Sequence, residues 1–146
     1  MARALVVYAS RSGNTTRIAE LVAEGLRFGG ADVEVKEARD IGKPEELEGY
    51  DAYVFGSSTY HGDMLPSMKT FLFLCEKAPL QDAIGGAFGA FGWSGEATDR
   101  IFETMKHIFN MDMTGDYLRL KNADLGGGIR MAQDYGREIA GKITTG

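Results

Sequence analysis

Cysteine is almost absent from this chain of 146 residues. Cys75 stands alone, so no internal disulfide can form and no thiolate cluster can hold a metal. Long apolar runs are missing too. No stretch approaches the roughly 18 apolar residues of a membrane helix. Met1-Ala2-Arg3 leads straight into an apolar run with no secretory pattern, so a cytoplasmic setting without a membrane is expected. Cations are in the minority, 16 Lys and Arg against 21 Asp and Glu, for a net charge of −5. That balance argues against general nucleic-acid binding, which needs clustered Lys and Arg. It suits docking to a basic protein instead. Repeats, linkers and low-complexity segments are also lacking, so residues 1–146 read as a single domain. Hydrophobic residues make up 44%, enough for a real core.

What is present is organised around Val6-Val7-Tyr8-Ala9-Ser10-Arg11-Ser12-Gly13-Asn14-Thr15-Thr16-Arg17-Ile18-Ala19-Glu20-Leu21-Val22. An apolar strand runs into a small polar loop, and the loop into a helix. Ile18, Leu21, Val22 and Leu26 recur at helical spacing and make one apolar face. The loop between supplies Ser10, Ser12, Thr15 and Thr16 hydroxyls beside Gly13 and Asn14, with Arg11 adjacent. A helix N-terminus offers unpaired N–H groups and the positive end of a dipole, a setting that binds phosphate. A plain helix cap needs one Ser or Thr, and this loop carries far more hydrogen-bonding capacity than that. No Walker lysine and no G-x-G-x-x-G occur here.

The rest alternates strands with helices. Ala4–Tyr8 is apolar throughout, as a central parallel strand should be. A helix runs from about Thr15 to Phe28 and stops at Gly29-Gly30. Asp32–Lys36 alternates and reads as a strand nearer the sheet edge. Pro44 opens a short turn. Ala52–Gly56 is a third strand, and Ser57-Ser58-Thr59-Tyr60-His61-Gly62-Asp63 reads as a polar loop. Pro66 starts a helix to about Lys77. Ile84–Phe91 is a fourth strand rich in Gly and Ala, which suggests close approach of a helix or ligand. Glu96–Phe109 reads as a helix with a stripe of Ile101, Met105, Ile108 and Phe109. Tyr117–Leu120 is a fifth strand, and Ile129, Ala132, Ile139, Ala140 and Ile143 mark a last helix. This order implies an α/β fold with a parallel sheet. In such sheets a ligand binds outside the carboxyl ends of the strands.

The first stretch resembles the flavodoxin signature: two aliphatic residues and an aromatic, then Ser10, Gly13, Thr15, Ala19 and Val22 in the family's spacing. The likeness spans the chain and is of the short-chain type, since nothing between Met113 and Asp124 is long enough for the long-chain insertion. The third loop, Gly92-Trp93-Ser94-Gly95, is closer to the flavodoxin domain of flavodiiron proteins, whose metal-binding half is absent here. The resemblance implies a flavodoxin-like three-layer sandwich with a five-stranded parallel sheet in the order 2-1-3-4-5. It implies non-covalent FMN, low-potential electron transfer between partner proteins docking at the flavin edge, and a monomer.

By position, Ser10, Ser12, Asn14 and Thr15 would hold the phosphate, with Arg11 and Gly13 in the same loop. Ser58 and Thr59 would approach the ribityl chain and ring, and Tyr60 and Trp93 would flank the flavin. Ser57, His61, Gly62, Phe91, Gly92, Ser94 and Gly95 complete the expected cofactor set. Many relatives have Gly directly after the second-loop aromatic, where this chain has His61 and then Gly62. Asp63, Glu96 and Asp99 are expected to disfavour a reduced, anionic flavin.

Electron shuttling needs no general acid or base, so no catalytic residue and no metal site is assigned. The competing reading within the fold is an FMN-dependent quinone or protoporphyrinogen reductase, which needs a substrate pocket beside the flavin. A receiver domain needs an acidic pair after the first strand and an Asp after the third. Those places hold Ala9-Ser10 and Gly56-Ser57.

Overall fold

The computed structural model describes residues 2–11, 13–91 and 95–145. The first apolar run forms β1 (Arg3–Ala9). It pairs in parallel on both sides, with β2 (Asp32–Glu37) and with β3 (Ala52–Tyr60). That double pairing explains the continuous apolar run: Leu5, Val6 and Val7 are fully buried. β3 pairs in turn with β5 (Ile84–Ala90). The parallel order is therefore β2-β1-β3-β5, with β2 at the edge as its alternating pattern implies.

The fifth position holds two pieces. β6 (Asp112–Met113) pairs with Ile84 and Gly85, and β7 (Leu118–Leu120) pairs with Phe88, Gly89 and Ala90. The segment Thr114–Tyr117 breaks the line between them. It holds more residues than the two, Gly86 and Ala87, that β5 offers opposite, so the chain must bulge out of the ladder. With the short antiparallel β4 (Asp63–Met64), the sheet has seven strands where the sequence shows five.

The sheet is covered on both faces. α1 (Asn14–Phe28) and α4 (Gly128–Thr145) pack on one, burying Ile18, Leu21, Val22 and Leu26 against Ala132, Tyr135 and Ile139. Gly25 and Gly136 let their backbones meet. A Cβ on Gly136 would lie 2.1 Å from the Val22 carbonyl oxygen, and one on Gly25 only 1.9 Å from that of Gln133. α2 (Pro66–Cys75), α3 (Glu96–Glu103) and the turn after α3 cover the other face with Met68, Phe71, Cys75, Ile101 and Met105. Phe55 and Phe71 meet edge to face at 4.8 Å. Each such buried side chain contributes about 1.5–3 kcal/mol.

Two further elements differ from the pattern reading. β3 does not stop at Gly56 but runs on to Tyr60, because Ser57 is paired to both Ala9 and Gly89 and Ser58 to Ala90. The helix read as Glu96–Phe109 is α-helical only to Glu103, and Thr104–Ile108 is a π turn in which Phe109 N–H donates to the Thr104 carbonyl. The wider turn rotates the stripe, so Ile108 is exposed while Met105 and Phe109 stay buried. The small residues of β5 serve a helix: a Cβ on Gly89 would stand 2.1 Å from Thr98 Oγ1 of α3.

Candidate functional site

Parallel pairing brings the loops after β1, β3 and β5 to one end of the sheet. The first begins where β1 ends. Gly13 sits at φ +91°, a left-handed conformation with open space around its α-carbon, so conformation and not crowding selects glycine. Its N–H donates to Ser10 Oγ at 3.0 Å, which closes the loop, and its carbonyl accepts from Arg17 N–H to start α1. Among the described residues no side chain caps this helix and no carboxylate lies in its first turn. Its N-terminus, with Asn14 half-buried at the first position, is open to an anion.

Thr15 turns inward. It is fully buried, and its hydroxyl meets Ser58 Oγ at 2.7 Å, tying the first loop to the end of β3. Ser57 is buried and its hydroxyl is committed internally, donating to the Ser58 carbonyl and accepting from Leu65 N–H. Thr59 Oγ1 accepts from Ala97 N–H at 3.2 Å, joining β3 to the start of α3. Hydroxyls from a single strand thus anchor all three segments, which is why a polar run can end a buried strand: each buried oxygen has a partner.

Tyr60 is 38% exposed at the end of β3. The Arg11 guanidinium lies over its ring, 3.9 Å from the centroid, and the His61 ring meets its edge at 4.0 Å. His61 and Gly62 then make a two-residue turn, pairing Tyr60 with Asp63 and Thr59 with Met64. Both turn residues have positive φ, +51° and +74°. A primed hairpin turn demands that of both residues. Histidine tolerates it better than branched side chains do.

Asp63 closes the hairpin inside a charge cluster. Its carboxylate pairs with Lys69 and, at 3.3 Å, with Arg100, and it accepts from Met64 N–H. Burial opposes its ionisation, but the Lys69 bond, the Met64 N–H and Arg100 together hold the carboxyl below its usual range. It therefore cannot act as the free negative charge that the sequence suggested. Glu96 turns its Oε2 into the protein, where it is buried without a hydrogen-bond partner among the described residues and faces Gly62.

The third loop is described only at its ends. Phe91 N–H donates to the Leu120 carbonyl, and the Arg119 guanidinium lies 5.6 Å from the Phe91 ring. Gly95 is buried under the Arg119 side chain and starts α3. Ser12, Gly92, Trp93 and Ser94, assigned to the site from sequence, lie outside the described residues. Two cations beside these loops were not assigned from the sequence, Arg100 and Arg119, because nothing local links them to the loops.

Among the described residues there is no group of His, Cys, Asp and Glu able to bind a metal and no helix long and apolar enough to cross a membrane. The wide cleft of about 680 Å³ between α2 and the segment Ala38–Gly42 is separate from these loops, though a small one of about 100 Å³ reaches Ser10.

Comparison with known proteins agrees with this geometry. A family model described as a flavodoxin domain matches residues 5–116. A flavodoxin from the domain Archaea superposes with a TM-score of 0.89 at 33% identity, over 97% of this chain and 99% of that one. The flavodoxin of Nitratidesulfovibrio vulgaris is 29% identical over 99% of both chains. An NAD(P)H dehydrogenase (quinone) of Archaeoglobus fulgidus is 35% identical over 66% of this chain. The chain spans 63% of that relative's length and 24% of a putative diflavin flavoprotein of Nostoc. The flavodiiron core of Synechocystis has a TM-score of 0.89 at 26% identity, with 36% of it covered, in keeping with the third-loop likeness.

Proposed function

The chain belongs to the flavodoxin family, and from that premise we propose that it holds FMN without a covalent bond and passes electrons between partner proteins. One observation carries the reading: a helix N-terminus with no side-chain cap and no carboxylate among the described residues, opened by Gly13 and braced by the buried Thr15–Ser58 hydroxyl pair. This donor set fits a phosphate monoester. Ser10, Arg11, Ser12, Gly13, Asn14 and Thr15 hold the phosphate. Ser58 and Thr59 face the ribityl chain, Ser57 braces that segment, and Tyr60, His61, Gly62 and Phe91–Gly95 line the ring. The cofactor supplies the redox chemistry, and these residues bind it, orient it and limit water around it.

The protein works as a single flavodoxin-like domain, monomeric and cytoplasmic. A quinone reductase activity is the second reading, favoured by the likeness to the Archaeoglobus enzyme. Turnover separates the two. Mixed with NADPH and a quinone, the FMN-loaded protein should be inert until a separate reductase is added. Rapid quinone reduction by the protein alone would favour the reductase.

A further inference from the structure

Over the whole chain, acids outnumber bases. At the rim of the site the order is reversed. Arg11 is exposed over Tyr60 and makes no ion pair among the described residues. Tyr60 pairs with Asp63, and Asp63 binds Lys69 and Arg100. α3, which carries Arg100, begins at Gly95, and Gly95 lies under Arg119. Arg119 is exposed, rests on Phe91 and Tyr117, and likewise makes no ion pair among the described residues. Contacts thus run continuously from Arg11 to Arg119 across the three loops.

What a partner meets depends on which atoms face out. The Lys69 and Arg100 side chains are 50% and 56% exposed, while the carboxylate between them is 22% exposed. Glu96 turns its buried Oε2 inward, which leaves Asp99 as the exposed carboxylate on this part of α3. Four cations are presented outward, and the Asp63 carboxylate that pairs with two of them is largely tucked beneath. Such a field attracts an anionic surface and repels a cationic one.

We infer that this rim, Arg11, Lys69, Arg100 and Arg119 around Tyr60, is a docking surface for an acidic electron-transfer protein. The inference rests on the electron-carrier reading and reverses the partner charge that the net charge alone suggests. In the encounter the cations lie against partner carboxylates beside the exposed edge of the site. A flavin held there would take one electron from the partner's reduced centre, with the accompanying proton supplied by solvent.

The test uses the FMN-loaded protein and a reduced, acidic [4Fe–4S] ferredoxin as probe, with flavin bleaching followed by stopped flow. The bimolecular rate should fall as salt rises and the Debye length shrinks below about 10 Å. The pair Arg100→Glu and Arg119→Glu should slow it about tenfold at low salt, the lower end of electrostatic steering. Arg100→Gln and Arg119→Gln should give a smaller loss in the same direction, and serve if the reversals disturb folding. Lys77→Glu alters charge beyond the last turn of α2 and should leave the rate unchanged. Calorimetric titration of the flavin-free protein with oxidised ferredoxin should rank the variants in the same order. A rate indifferent to salt, or slowed equally by Lys77→Glu, overturns the docking inference while leaving the carrier reading intact. A protein that takes up no flavin overturns the carrier reading itself.

Discussion

Thr15→Val tests the joint between the first two loops. Valine keeps the shape of threonine and deletes the hydroxyl that meets Ser58 Oγ at 2.7 Å. Both residues are buried, and Ser58 Oγ has no other hydrogen bond among the described residues. The variant therefore strands a buried hydroxyl, which costs about 1–3 kcal/mol. For a domain of this size that lowers Tm by roughly 2–4 °C per kcal/mol. Ser58→Ala strands Thr15 in the same way. The double variant strands neither group, so its loss should fall well short of the sum of the two singles. Denaturant unfolding of the four flavin-free proteins measures this directly. Binding adds a second readout. A hydrogen bond to a charged group contributes about 1.5–3 kcal/mol, so Thr15→Val should weaken FMN by roughly ten- to a hundredfold and riboflavin far less. Strictly additive stability losses would show that the two hydroxyls do not cooperate. An equal loss for FMN and riboflavin would refute the role of Thr15 at the phosphate.

Two further predictions probe the turn and the far edge of the sheet. His61 sits at φ +51°. His61→Val should destabilise by about 1–2 kcal/mol, because a branched side chain resists that conformation, and His61→Gly should not; equal losses by denaturant titration would place the turn elsewhere. Tyr50 donates to Glu34 at 2.6 Å, and burial first, then that bond, pushes its pKa to about 12. The folded state thus retains a proton that the unfolded chain releases near pH 10, so this contribution is present below pH 10 and is lost as the pH rises to about 12. Tyr50→Phe should make the alkaline loss of stability shallower in that window, and an unchanged slope would contradict the assignment.

Much of this was legible in the sequence, for definite reasons. β1 and α1 announce themselves by an unbroken apolar run followed by a helical period, and both are where the pattern puts them. The turn of polar residues after Gly56 misled, because Ser57 and Ser58 look like loop residues. They form strand since Ser57 pairs with Ala9 and Gly89 and Ser58 with Ala90, and the Ser58 hydroxyl meets Thr15, contacts that span many positions. The π turn at Thr104–Ile108 leaves no mark in a stripe counted at 3.6 residues per turn. The break in the fifth strand depends on register against β5, which no local pattern encodes. The loops of the candidate site stand out by composition. The cation rim does not, because Asp63, Lys69, Arg100 and Arg119 meet only once the hairpin and α3 are in place.

The loop from Ser10 to Thr15 carries the functional reading, and its most direct test is a parallel titration of the flavin-free wild-type protein with FMN and with riboflavin, followed by flavin fluorescence. The two ligands differ only in the phosphate. Several N–H and hydroxyl bonds to that group predict FMN binding at least about a hundredfold tighter. Equal affinity for the two would contradict the account.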